Sequence, residues 1–167
     1  MLVLGVDPGT ATTGYGLVNE SADGILTARA YGVITTPAAA PQAERLLLIH
    51  QRLEEILTLH RPEEGAVEKL FFEKNVTTGM AVSQARGVIL MTLAKAGLPA
   101  FEYSPIEVKQ AVAGYGGAKK PQIQEMVRLL LQLDEAPRPD DAADALAIAI
   151  CHLQQRKLRG MLEDAGV

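Results

Sequence analysis

Apolar positions along the chain change their period several times, and each change marks an element. The run LVLGV, Leu2 to Val6, is a short strand that stops at the turn Asp7, Pro8, Gly9. Thr13 to Glu20 and Gly24 to Thr36 alternate in strand fashion, with SADG, Ser21 to Gly24, as the turn between them. Links this short make the three strands antiparallel neighbours. The stretch Pro37 to Pro41 breaks the pattern. From Gln42 to His60 the positions Ala43, Leu46, Leu47, Ile49, Leu53, Ile56, Leu57 and His60 fall mostly three or four apart, which predicts an amphipathic helix. Strand character returns over Gly65 to Phe72, helix over Thr77 to Ala96, and strand over Leu98 to Ser104. Pro105 suits the start of a helix over Ile106 to Ala113. The glycine-lysine loop GYGGAKK, Gly114 to Lys120, leads into a helix from Pro121 to Leu133. A last helix opens near Pro139 in the stretch RPDDAADALAIAI, Arg138 to Ile150.

The order is β-β-β-α-β-α-β-α-α-α. Antiparallel strands followed by βα units imply an α/β fold with a five-stranded mixed sheet and helices on both faces. It is similar to the ribonuclease H-like fold, in which strand 1 lies mid-sheet beside strand 4. We expect one domain over residues 1–155 and a tail over 156–167; no internal repeat or low-complexity linker divides the chain.

Composition changes this picture little. Of the 167 residues, 48% are hydrophobic and 22% charged, as in an ordinary globular chain. The single cysteine, Cys151, excludes an internal disulfide and a cysteine-built zinc site. The N-terminus carries no basic region ahead of its short apolar run, so we expect a cytoplasmic protein without a membrane partner. Charge is more informative. The net charge is −4, yet residues 69–128 hold eight Lys/Arg against four Asp/Glu. A basic middle in an acidic chain is compatible with one face that binds a polyanion.

The acids stand out next. Asp7 closes strand 1, and Glu68 sits in an otherwise apolar strand. If strands 1 and 4 are parallel neighbours, both carboxylates project at the carboxyl edge, where open α/β sheets bind ligands. The final helix begins with Asp140, Asp141 and Asp144, and helical spacing lets Asp144 share a face with either of the other two. Capping accounts for Asp140 and in part for Asp141. It does not account for Asp144, a full turn inside, nor for a glutamate in an apolar strand, which requires a cation. Convergent carboxylates without His or Cys favour hard ions, Mg²⁺ or Mn²⁺, and suit two-metal phosphoryl chemistry in which the metal itself acidifies the attacking water.

The stretches LGVDPGTATTGYG (Leu4 to Gly16), AVEKLFFEKN (Ala66 to Asn75), SQARGV (Ser83 to Val88), FEYSPIEVKQAV (Phe101 to Val112) and DAADALAIAI (Asp141 to Ile150) resemble, in order, those of the bacterial RuvC Holliday junction resolvases. The resemblance implies a homodimeric, Mg²⁺-dependent endonuclease that nicks two opposed strands of a four-way DNA junction symmetrically and leaves ligatable ends. It implies two metal ions per subunit, with Mn²⁺ as a substitute, held by Asp7, Glu68, Asp141 and Asp144. It also implies work alongside the RuvA–RuvB branch-migration complex. An aromatic wedge falls at Phe71, with Phe72 beside it as the competing candidate, because an apolar side chain replaces the stacking lost at an opened crossover. Lys109 and Lys120 correspond to DNA-contacting lysines. Lys119 is an added charge and Asp140 an added acid, both of open role, and Arg86 is either a DNA contact or a helix-packing residue. The helix after the Phe pair, with Gly79, Ala81, Ala85 and Gly87, coincides with the family's dimer helix. His50, His60 and His152 read as plain helix residues and Cys151 as a buried small one.

Rival readings weigh less. DPGTATTGYG also resembles the first phosphate loop of actin-like and sugar-kinase ATPases, which need two such domains. A junction-binding module without catalysis has no use for four acids near phosphates. A ribonuclease acting on RNA–DNA hybrids shares the chemistry but not the DAAD spacing or the aromatic-lysine set.

Overall fold

The computed structural model describes residues 1–69 and 76–164. Strands β1 (Leu2–Asp7), β2 (Thr12–Glu20) and β3 (Leu26–Thr35) precede helix α1 (Gln42–His60). Then come β4 (Glu64–Glu68), α2 (Val76–Lys95), β5 (Ala100–Tyr103), α3 (Pro105–Ala113), α4 (Lys120–Leu130) and α5 (Asp140–Asp164). The sheet order is β3-β2-β1-β4-β5. β1 pairs antiparallel with β2, and β2 with β3, as the short links require. β1 runs parallel to β4, and β4 to β5. The expected architecture is the observed one, with β1 central beside β4.

The period-two alternation of β1 divides the core. Val3 packs with the α3, α4 and α5 side, among Val108, Val112, Ile123, Val127 and Leu146. Leu4 and Val6 point the other way, into a cluster with Ile49, Leu53 and Leu57 of α1 and Ala85, Ile89 and Leu93 of α2. Asp7 has the parity of Val3, so it faces α5. In β4 the same rule puts Ala66 on the α5 side and Val67 on the α1/α2 side, and Glu68 follows Ala66. Both strand acids therefore look toward one helix.

That helix lies unusually close. An added Cβ on Gly5 would stand 2.0 Å from the Ala145 carbonyl oxygen and 2.8 Å from the Ala149 amide nitrogen. A Cβ on Gly14 would stand 2.0 Å from the Asp141 carbonyl oxygen. Gly5 of β1 and Gly14 of β2 thus let the sheet backbone touch that of α5 at Asp141, Ala145 and Ala149. α5 is buried almost without interruption from Ala142 to Leu153. The segment expected as a tail continues this helix as far as Asp164.

Some boundaries differ from expectation. β4 ends at Glu68, short of the strand expected to reach Phe72. α4 ends at Leu130 rather than Leu133, where Leu131 takes a non-helical cap and Gln132 a left-handed conformation, φ 55°. Leu47, expected on the apolar side of α1, is 54% exposed, while Ile49, Leu53 and Leu57 are buried.

Candidate metal centre at the carboxyl edge of the sheet

The site is assembled from three elements. β1 and β4 pair in register Val6 to Val67, and the next step sets Asp7 beside Glu68. Asp7 also pairs with Gly14 of β2, and Gly14 is the residue against which the Asp141 backbone rests. The close approach of α5 thus delivers Asp141 next to Asp7, and Asp144 one turn further in. Asp7, Glu68 and Asp144 line one cavity of about 260 Å³ together with Pro105, Val108, Lys109, Lys120, Ile123 and Ala147. One wall is apolar, which limits solvation of the acids.

The loop that follows Asp7 is held by hydroxyls. Thr13 donates to the Gly9 carbonyl at 2.6 Å, Thr10 to the Ala81 carbonyl of α2 at 2.8 Å, and Thr36 to the Thr10 carbonyl at 2.6 Å. Arg45 of α1 donates to the Thr36 hydroxyl. All three threonines are buried. Thr10 and Thr13 of the run TATT therefore fix the exit of β1.

Burial and mutual repulsion dominate the electrostatics. Desolvation, reinforced by the charges of Glu68, Asp144 and Asp141, pushes the Asp7 carboxyl up to about 8. Desolvation and then Asp144 push Glu68 up to about 7, against the opposing pull of Lys109. Burial raises Asp144 as well, resisted by its hydrogen bond from Lys120. Lys120 Nζ lies 2.9 Å from Asp144 Oδ2 and 3.5 Å from Asp140 Oδ2. A set of half-buried, mutually repelling carboxylates whose nearest counter-charges are two lysines fits added cations, and an all-oxygen donor set fits hard ones. Among the described residues no three His, Cys, Asp or Glu side chains are yet drawn together tightly enough to hold an ion.

The remaining sequence candidates separate. Lys109 of α3 lines the cavity. Lys119, the residue before α4, is exposed, and its backbone N–H donates to the Gln122 side chain. Arg86 of α2 is ion-paired with Glu102 of β5 and is mostly buried, so it ties helix to sheet. Asp140 accepts a hydrogen bond from Gln124 of α4 at 2.9 Å, joining α4 to α5. Phe71 and Phe72 lie outside the described residues.

Sequence reasoning missed a second polar cluster. His152 is fully buried, hydrogen-bonded through Nδ1 to the Tyr103 hydroxyl at 2.8 Å and through Nε2 to Glu64 Oε2 at 2.5 Å. Phe101 packs on its ring with centroids 4.7 Å apart. Burial lowers the His152 pKa more than Glu64 raises it. Glu64 shares the α5-facing parity of Glu68 in β4, but its pairing with His152, 88 residues away, shows only once α5 is packed on the sheet.

A ribonuclease H-like sheet with acids from strand 1, strand 4 and the last helix at its carboxyl edge defines the structural class of the protein. Comparison with known proteins narrows that class. Residues 3–152 match the family model described as Crossover junction endodeoxyribonuclease RuvC, and the chain belongs to that family. The Crossover junction endodeoxyribonuclease RuvC of Roseiflexus sp. (strain RS-1) is 58% identical over 89% of this chain and 88% of its own length. Among solved structures, Thermus thermophilus RuvC superposes with a TM-score of 0.86 at 42% identity, covering 94% of this chain and 96% of that one. T. thermophilus RuvC in complex with Holliday junction substrate gives 0.85 at 38% identity with the same coverage.

Proposed function

We propose that this chain is a Mg²⁺-dependent, structure-selective endonuclease that resolves four-way DNA junctions by paired, symmetric nicking. One observation carries the reading above the others: three acids from β1, β4 and α5 line a single cavity, and two of them are pushed to about 8 and about 7 by burial and by one another. Family membership supplies the substrate class, and the T. thermophilus relative is solved on a Holliday junction.

In this reading Asp7, Glu68, Asp141 and Asp144 hold the ions, two per subunit, with Mn²⁺ able to replace Mg²⁺. Held there, such ions would acidify a water and offset charge on the scissile phosphate. The protein does the rest. β1 and β4 fix two carboxylates at adjacent strand ends, and the Thr10 and Thr13 hydrogen bonds prevent the Asp7 loop from drifting. The apolar wall of Val108, Ile123 and Ala147 thins out competing water. Lys109 and Lys120, with Lys119 outside them, neutralise DNA phosphates near the cut. One of Phe71 and Phe72 fills the opened crossover. A homodimer presents two such sites to the two-fold junction, and the RuvA–RuvB complex delivers it.

The test is a mobile synthetic four-way junction incubated with the protein and Mg²⁺, with nicks mapped on all four arms. Paired nicks at symmetric positions are expected. Asp7→Asn is expected to lower the nicking rate by about a hundred- to a thousandfold, as loss of a main charge-stabilising group does, while junction binding in Ca²⁺ survives. Loss of binding together with cutting would make the acids structural.

A further inference from the structure

Lys120 is the first residue of α4, delivered to the acids by the loop Gly114 to Lys119. Among the described residues it is the one cation hydrogen-bonded to an acid of the cluster, at 2.9 Å from Asp144 and 3.5 Å from Asp140. Burial pulls its pKa down, and the hydrogen bond and charge of Asp144 more than restore it, so the ammonium stays charged. Its charge also relieves Asp7. The Lys120 side chain is 48% exposed and that of Asp144 31%, so the pair is open to solvent and exchangeable. Asp144 Oδ2 cannot keep a hydrogen bond to an ammonium and direct a lone pair at a divalent ion from the same side.

We propose that Lys120 is the resident counter-cation of the acid cluster, displaced from Asp144 when a divalent ion binds and then free to take a DNA phosphate. The inference rests on the reading of the acids as an ion site. It makes ion loading and phosphate capture successive uses of one lysine. By linkage, the ion then strengthens the grip of Lys120 on DNA as much as DNA strengthens the hold on the ion. Lys109 serves as the built-in comparison: it lowers the Glu68 pKa through its charge and has no hydrogen bond to the acids among the described residues.

The experiment titrates Ca²⁺, alone and without DNA, into the wild-type protein, Lys120→Gln, Lys120→Arg, Lys109→Gln and Asp7→Asn, with affinity read by calorimetry. Wild type binds and Asp7→Asn binds far more weakly. Lys120→Gln binds roughly two- to fivefold tighter, the scale of one partly exposed ion pair. Lys120→Arg stays near wild type, and Lys109→Gln tightens by less than half as much as Lys120→Gln. In the wild-type protein the hydrogen-bonded Lys120 ammonium gives a ¹H–¹⁵N signal that Ca²⁺ removes. Junction affinity falls more on Lys120→Gln in Ca²⁺ than in chelator. If Lys120→Gln binds Ca²⁺ no tighter than wild type, or Lys109→Gln matches it, displacement is overturned while the ion site stands. Persistence of the ammonium signal at saturating Ca²⁺, or equal losses of junction affinity with and without Ca²⁺, would overturn it likewise. If wild type binds no Ca²⁺, the ion-site reading falls and takes this proposal with it.

Discussion

Asp7 is held in its fold at a cost. The unfolded chain ionises this carboxyl near its ordinary value of 3.8, whereas in the metal-free fold it ionises at about 8. Between those values the folded state keeps a proton that the unfolded state has lost, so acid favours the fold. That contribution is whole below about pH 4 and is lost as pH climbs through the folded value. Glu68, moved from 4.5 to about 7, works in the same direction over a narrower window. Asp7→Asn removes the charge, and in chelator it should melt higher than wild type at pH 8, with the gap shrinking toward pH 5. A few degrees is expected, roughly what 1–2 kcal/mol yields for a chain of this length. Circular dichroism melts at the two pH values check it, and a gap independent of pH would mean the Asp7 charge is not the source. At this scale the acids were legible because a carboxylate in an apolar strand, or a turn inside an alanine helix, has few structural uses. His152 was not legible. Its partners Glu64 and Tyr103 sit 88 and 49 residues away, and local spacing carries no trace of them.

At the scale of elements, period-two and period-three-to-four patterns placed the five strands and five helices of the described residues, because each buries one face. They missed how near α5 comes to the sheet. That information lies in glycines, which carry no periodic signal: Gly5 and Gly14 read only as parts of a motif until α5 is laid over them. Strand ends were also misplaced. β4 ends at Glu68, opposite the end of β5 at Tyr103; Leu70 to Phe72, which continue its apolar run in sequence, lie outside the described residues. The glycine reading has a direct consequence. Gly5→Ala drives a methyl into two backbone atoms of α5, neither of which can rotate away. The expected loss is about 3 kcal/mol, at the upper end for overpacking, or roughly 6–12 °C of melting temperature. The contrast is Gly160→Ala, near the far end of α5, where a Cβ meets nothing within 4 Å. That change should be neutral or gain up to about 1 kcal/mol from helix propensity. Denaturant unfolding of both variants distinguishes a close backbone approach from a general intolerance of alanine for glycine.

For the whole molecule, the described residues contain one cavity in which the strand acids meet, which under the proposed function makes one cutting site per chain. A four-way junction needs two cuts on opposed strands to separate into duplexes. A single chain would have to release, turn and rebind between cuts, leaving a nicked junction as a long-lived species. A two-fold dimer holds both scissile phosphates at once. In the proposed dimer helix α2 would supply the contact, with Met80 and Met91 well exposed and Gly87 open to close approach. On this reading a dimer made of one wild-type chain and one Asp7→Asn chain still binds the junction through two copies of its lysines, but cuts one strand only. Denaturing gels should then show the nick at its normal position, while native gels show the junction still joined. Wild-type dimers under the same conditions should yield both cuts and free duplexes. If the mixed dimer resolved junctions at half the wild-type rate with no nicked intermediate, one chain would be making both cuts, and the pairing of one acid cluster to one strand would be wrong.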